Sequence, residues 1–290
     1  MKIRTPFRLL MMMALMGIAA CTNKSEEQLL QGNEIKLVSE IIPLSRVAGQ
    51  GLQSTQIAEG QPLGITIAGS QNGQANAEWV AGKNGSLTPK GEKVLWGDTD
   101  ITITAYHPYN AGWKDGVQSF TVKTDQSTED GYLNSDLLWA TATASPTDLP
   151  VNLKFMHKLA KISVTLTSDD FDDLSGAEVS ICGTGVSGDF NTATGEFLGV
   201  NGAVYDIKAG SVTVSVSTVS AIIIPTSKTI GECLIKITYA GKDYHYVTSK
   251  SMEFKSGYSY HYTLKLVAGD IPAVEEVTSG EVEDMEIVEW

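Results

Sequence analysis

Short runs of alternating apolar residues, set between clusters of Gly, Asn and Asp, dominate this chain and leave it few folds to choose from. Ile35, Leu37 and Ile41 alternate in EIKLVSEII, Ile65 and Ile67 in GITIAG, and Ile101 and Ile103 in DITITAYHPY. Further along, Ile162, Val164 and Leu166 alternate in KISVTLT, and Val212, Val214 and Val216 in SVTVSVS. Residues Leu234 to Tyr246 read as a hairpin turning at Ala240-Gly241-Lys242, and Tyr258, Tyr260, Tyr262, Leu264 and Leu266 share one face of YSYHYTLKL. A period of two buries one face of a strand and wets the other. Strong helical periodicity is absent, so the expected class is all-β, built as sandwiches or barrels.

The first twenty residues read as a targeting segment outside the fold. Lys2, Arg4 and Arg8 form a basic region, and Leu9 to Ile18 is an apolar stretch too short to span a bilayer. It ends in Ile18-Ala19-Ala20-Cys21, which resembles a lipobox: small residues admit the peptidase and the thiol of Cys21 accepts diacylglycerol. Two or more acyl chains anchor stably where one does not. Thr22 to Gly32 is a polar tether, and its Ser25-Glu26-Glu27 run resembles acidic surface-export signals of Bacteroidota lipoproteins.

With Lys2, Arg4 and Arg8 set aside, 18 basic residues face 34 acidic ones, a formal charge of −16. That balance repels phosphate backbones and argues against nucleic acid as a partner. Roughly 270 remaining residues suggest two domains. The Ser/Thr/Ala/Pro stretch Thr141 to Pro150 is the expected boundary, giving domains at 47–150 and 151–290. Cys182 and Cys233 lie in apparent strands, where a disulfide and two buried thiols are both open readings.

Little in the chain points to catalysis or a cofactor. His107, His157, His245 and His261 lack metal-ligand spacing, although His245 and His261 are compatible with neighbouring positions across strands. SDDFDDLSG, with Asp169, Asp170, Asp172 and Asp173, lacks the alternation, glycine and distal glutamate of a calcium loop and reads as a solvated turn. No nucleophile elbow, phosphate loop or dinucleotide fingerprint is present. The five tryptophans, Trp79, Trp96, Trp113, Trp139 and Trp290, suit either sugar stacking or core packing.

The middle of the chain carries a family signal. Ser135-Asp136-Leu137-Leu138-Trp139-Ala140 is followed by Leu153-Lys154-Phe155-Met156-His157-Lys158-Leu159-Ala160-Lys161-Ile162. Then come the Gly188 to Glu196 segment, of form G-D-F-x-x-x-T-G-E, the AIIIP run at Ala221 to Pro225, FKSGYSYHYTLKL at Phe254 to Leu266, and a terminal Trp290. In this order and spacing the set resembles the fimbrillin family of Bacteroidales pilins. The resemblance implies two β-sandwich domains of transthyretin-like topology in tandem. It implies export as a lipoprotein to the outer membrane and cell surface, and a structural role in a fimbrium serving adhesion or biofilm. It implies an arginine-specific protease that removes the first strand, and a groove then filled by a strand of a neighbouring pilin subunit. A host or bacterial surface ligand belongs to the same expectation.

Beyond the targeting segment the chain holds seventeen lysines and a single arginine, Arg46, in PLSRVAGQG just after the first candidate strand. Cleavage between Arg46 and Val47 would free 21–46, with Glu34 to Leu44 as the displaced strand. The tail from Asp270 to Trp290 has eight acidic residues and no Lys or Arg. Its Val282, Met285, Ile287, Val288 and Trp290 suit a donor strand, and the same pattern suits a native edge strand kept soluble by charge. The tail is more acidic than a stalk donor would need, and tip and anchor subunits share the family. A different class, a monomeric surface glycan-binding lipoprotein of a polysaccharide-uptake system, would keep its first strand and display coplanar aromatics.

Overall fold

The computed structural model describes residues 33–42, 55–268 and 281–289. The strands in chain order are β1 (Leu37–Ile41), β2 (Pro62–Ala68), β3 (Gln74–Ala81), β4 (Ser86–Pro89), β5 (Ile101–His107), β6 (Val117–Thr121), β7 (Leu138–Ala144), β8 (Val151–His157), β9 (Ala160–Ser168) and β10 (Glu178–Gly185). They continue as β11 (Ser187–Asn191), β12 (Glu196–Val200), β13 (Val204–Ser211), β14 (Thr218–Ile223), β15 (Thr226–Lys228), β16 (Cys233–Tyr239), β17 (Lys242–Val247), β18 (Met252–Phe254), β19 (Tyr258–Leu266) and β20 (Glu281–Glu289). One short helix, α1 (Glu129–Leu133), starts at Thr128, whose Oγ1 accepts from the Gly131 N–H at 3.1 Å and so caps it. The all-β expectation holds.

Seven strands close into a barrel in the order β1-β4-β3-β2-β5-β7-β8. Ile65, Ile67, Ile101 and Ile103 fill it from alternate positions, as their period predicts, and Trp79 is buried among them. The rest forms a sheet β13-β10-β16-β17, a sheet β14-β9-β19-β20, a three-stranded sheet β12-β11-β6 and a two-stranded pair β15-β18. The two four-stranded sheets share one hydrophobic core: Val179, Ile181 and Ile235 come from the first, Ile162, Val164 and Tyr262 from the second. Residues from Glu34 onward thus make one compact unit with two cores.

Two local expectations are corrected. Thr141 to Pro150 is not a linker. β7 runs through its first half and pairs with β5 from Leu138 to Ala144, and β8 follows in the same barrel. The sheets part between His157 and Ala160. The segment reads as a linker because β7 turns Ala140 and Ala144 inward and Thr141 and Thr143 outward. Small residues satisfy the pleat without a hydrophobic signal. SVTVSVS is not a strand either. It is a tight turn between β13 and β14, in which Thr213 and Val216 exchange backbone hydrogen bonds at 2.9 and 3.2 Å. Val212 is buried, and Val214 points into solvent. The hairpin at 240–241 forms as expected, with Ala240 and Gly241 both at positive φ.

Candidate functional site

β1 is bonded along both of its edges. It runs parallel to β8, with Leu37 opposite Val151 and Ile41 opposite Phe155. On its other side it is antiparallel to β4 at Leu37–Leu87 and Val38–Ser86. Backbone bonds extend this seam at both ends: the Ile35 N–H donates to Val94 O and the Ile41 N–H to Thr55 O, each at 2.8 Å. Removing β1 would therefore open the barrel and expose two strand edges at once.

Side chains follow the same logic. Ile35, Leu37, Ser39 and Ile41 are buried, whereas Lys36 and Glu40 are exposed. The three large apolar groups contribute about 1.5–3 kcal/mol each on burial. Glu40 accepts from Asn152 Nδ2 at 2.7 Å on the outer face, and Lys93 Nζ lies 3.1 Å from Glu34 Oε2. Ser39 donates its hydroxyl hydrogen to Gly85 O at 3.2 Å. Gly85 sits at φ +72, and a Cβ there would collide with the backbone oxygen of Ser39. The two backbones approach most closely at this third inward position.

Cys21, Arg46, Val47 and Trp290 lie outside the described residues. Ile42 and Thr55 bound the segment that carries Arg46. The acidic tail forms β20, at the edge of the sheet that contains β19. Val282, Met285 and Ile287 stand in register with Leu264, Tyr262 and Tyr260, and Val288 with Ser259. The register skips a residue between Val282 and Asp284, so β20 carries a bulge at Glu283. Ile287 is half exposed.

The structure also shows a buried charged cluster that the sequence reading did not single out. Asp136 follows α1 and His157 ends β8, and Nδ1 of His157 lies 2.8 Å from Oδ1 of Asp136 with both side chains buried. Lys161 on β9 is also buried; its burial lowers its proton affinity and the field of Asp136 partly restores it. His107 lies fully buried beside them, its Nδ1 2.9 Å from Pro62 O and its Nε2 3.2 Å from Leu133 O. Burial holds its pKa below the ordinary imidazole value of 6.5. A signal was available: in VNLKFMH, His157 falls on the inward parity after Val151, Leu153 and Phe155. Asp, His and Lys together inside a strand junction are tolerable only as partners.

The other motifs serve packing. Trp139 Nε1 donates to Thr192 O at 2.8 Å, its ring carries Lys158 Nζ 4.9 Å from the centroid, and it fills the space a Cβ at Gly195 would need. Gly195 lies at φ +69, so the first motif and the G-D-F-x-x-x-T-G-E motif meet in one contact. In the AIIIP run, Ile222 is bonded through both backbone groups to the Gln126 amide at 2.7 Å. Trp79, Trp96, Trp113 and Trp139 are all buried, so those four do not form a surface aromatic platform. His245 and His261 lie in different sheets and are not cross-strand neighbours. Asp173 accepts from the Ser175 N–H at 2.8 Å and Asp170 from the Ala268 N–H at 2.8 Å, as turn formers do. Cys182 and Cys233 form a disulfide between β10 and β16, with Cα atoms 5.8 Å apart.

Comparison with known proteins places the chain. The family model described as Fimbrillin-like matches residues 46–290. A curated relative, "Putative fimbrium subunit Fim1C" of Bacteroides uniformis, is 25% identical over 255 aligned positions that cover 76% of this chain and 78% of that protein. Two crystal structures, each titled as a putative cell adhesion protein, share the fold. The one from Bacteroides uniformis has a TM-score of 0.65 at 22% identity, covering 89% of this chain and 99% of the other. The one from Bacteroides ovatus has a TM-score of 0.64 at 19% identity, covering 89% and 97%. This chain therefore belongs to the fimbrillin-like family of fimbrial and cell-adhesion proteins.

Proposed function

We propose that this chain is a structural subunit of a surface fimbrium, exported as a lipoprotein through Cys21, cut after Arg46, and joined to its neighbours by strand addition in the slot that β1 occupies. The observation that carries the reading is the position of β1. It closes the barrel through ladders on both edges, and the single arginine of the exported chain falls in the segment joining it to the rest. One cut between Arg46 and Val47 would convert a covalently retained strand into an exchangeable one. The vacated slot offers an apolar floor and two unpaired edges, and a contact repeated head to tail does not close and gives a fibre. β20 is the strand suited to donation, because it has one neighbour, β19, and leaves by breaking one ladder. Two sandwich-like modules in tandem, an outer-membrane address and a role in adhesion or biofilm complete the proposal, and it assigns no catalysis.

The burial of four tryptophans weighs against a glycan-binding platform. N-terminal sequencing of sheared surface material, with electron microscopy of the same sample, tests the proposal. A sequence starting at Val47 in fibres is the expected result. Normal incorporation of an Arg46→Ala variant into fibres would overturn it.

A further inference from the structure

The slot of β1 has a readable sequence requirement, and neither end of the cut chain meets it. Resting on the strand-exchange reading above, we infer that the vacated slot is filled by a strand from a different protein and not by a second copy of this chain. That strand carries large apolar residues at its first, second and fourth inward positions, a small residue at the third, and no carboxylate among them.

The requirement is read from the four buried positions Ile35, Leu37, Ser39 and Ile41. At the third, the hydroxyl of Ser39 bonds Gly85 O, where the β4 arm approaches with no room even for a Cβ of its own. A leucine-sized side chain there overpacks the seam.

The tail fails on charge. Positions 282, 284, 286 and 288 read Val, Asp, Glu, Val, and positions 281, 283, 285 and 287 read Glu, Glu, Met, Ile. Every set of four alternate positions between 270 and 290 contains at least one Asp or Glu. A bulge at Glu283, as β20 has in its own sheet, aligns Gly280, Val282, Met285 and Ile287, which puts methionine in the small position. Shifted by one step it aligns Val282, Met285, Ile287 and Glu289, with a carboxylate in the fourth. The new N-terminal end fails on polarity, since every such set between 47 and 60 contains a glutamine. An inward carboxylate without a partner weakens binding by about 100-fold or more.

Two measurements test this and separate it from the reading beneath it. The first uses the intact chain and needs no cleavage: residues 35–41 are replaced by the tail segment 282–288, or Ser39→Leu is made, and thermal unfolding is followed. Both changes should lower Tm by many degrees, and a tail graft as stable as the native chain overturns the inference. The second uses protein cut at Arg46 and fluorescein-labelled peptides 34–42 and 281–290 in an anisotropy titration. The native peptide should bind about 100-fold more tightly than the tail peptide. Asp284→Leu with Glu286→Ser, which turns the tail register into Val, Leu, Ser, Val, should restore the difference. Comparable binding of the two native peptides, or fibres from the cut protein alone, overturns the selectivity and leaves strand exchange standing. If neither native peptide binds, strand exchange itself falls, and this inference with it.

Discussion

Nδ1 of His157 lies 2.8 Å from Oδ1 of Asp136, and both side chains are buried. The pair sits where β8 leaves the barrel and β9 enters the second core, three residues before Lys161 on β9 begins to share the field of Asp136. The family motif around Trp139 and His157 is thus the junction between the two cores, held by charge in an otherwise apolar setting.

Breaking this pair from the acidic side leaves His157 and Lys161 without their counter-charge. Asp136→Ala should cost about 3–5 kcal/mol of unfolding free energy, read by denaturant titration. Asp169→Ala removes an exposed partner of Lys265 and should change stability little. Equal effects of the two would contradict the role given to the buried cluster.

Acid should weaken the fold through His107. Its folded-state pKa is depressed, chiefly by burial, while the unfolded state protonates near 6.5. Below that value the unfolded chain binds more protons, so its contribution is complete above pH 6.5 and declines as pH falls toward the folded-state value. Stability should drop between pH 7 and 5 with a slope of up to about 1.4 kcal/mol per pH unit from this group. In His107→Gln the slope, measured by denaturant titrations across that range, should flatten even if overall stability is lower.

The Cys182–Cys233 bond closes a loop of 51 residues between β10 and β16. Replacing both cysteines with serine should cost about 2–4 kcal/mol. Thermal unfolding with and without reductant should show the same difference in the native chain and none in the double variant.

Membrane attachment should depend on Cys21. Radioactive palmitate should label the native protein, and Cys21→Ala should abolish the label and release or misroute the protein. Persistent acylation of the variant would remove the lipid anchor from the proposal.

Much of the fold was legible along the chain because pleated strands repeat every two residues. Ile65, Ile103, Ile162 and Tyr262 all fall where their alternation puts them, and the turn at Ala240 and Gly241 lies where its residues require it. Where alternation carried little hydrophobic contrast, as in the Thr-Ala-Thr-Ala of β7, a strand read as a linker. Where it fell on a turn, as at Val214, a turn read as a strand. Single residue types with chemical consequences, Cys21 and Arg46, were visible from composition and position alone.

Which strands meet was decided only in three dimensions. The pairing of β1 with β8, more than a hundred residues away, makes β1 the closing stave of a barrel, and no local pattern encodes a partner at that distance. The same holds for Asp136 and His157, which lie in separate segments and become partners only when β7 and β8 fold side by side. Alternation specifies that one face of a strand must be buried. Which neighbour buries it depends on register and closure across the whole sheet, and these belong to the tertiary structure.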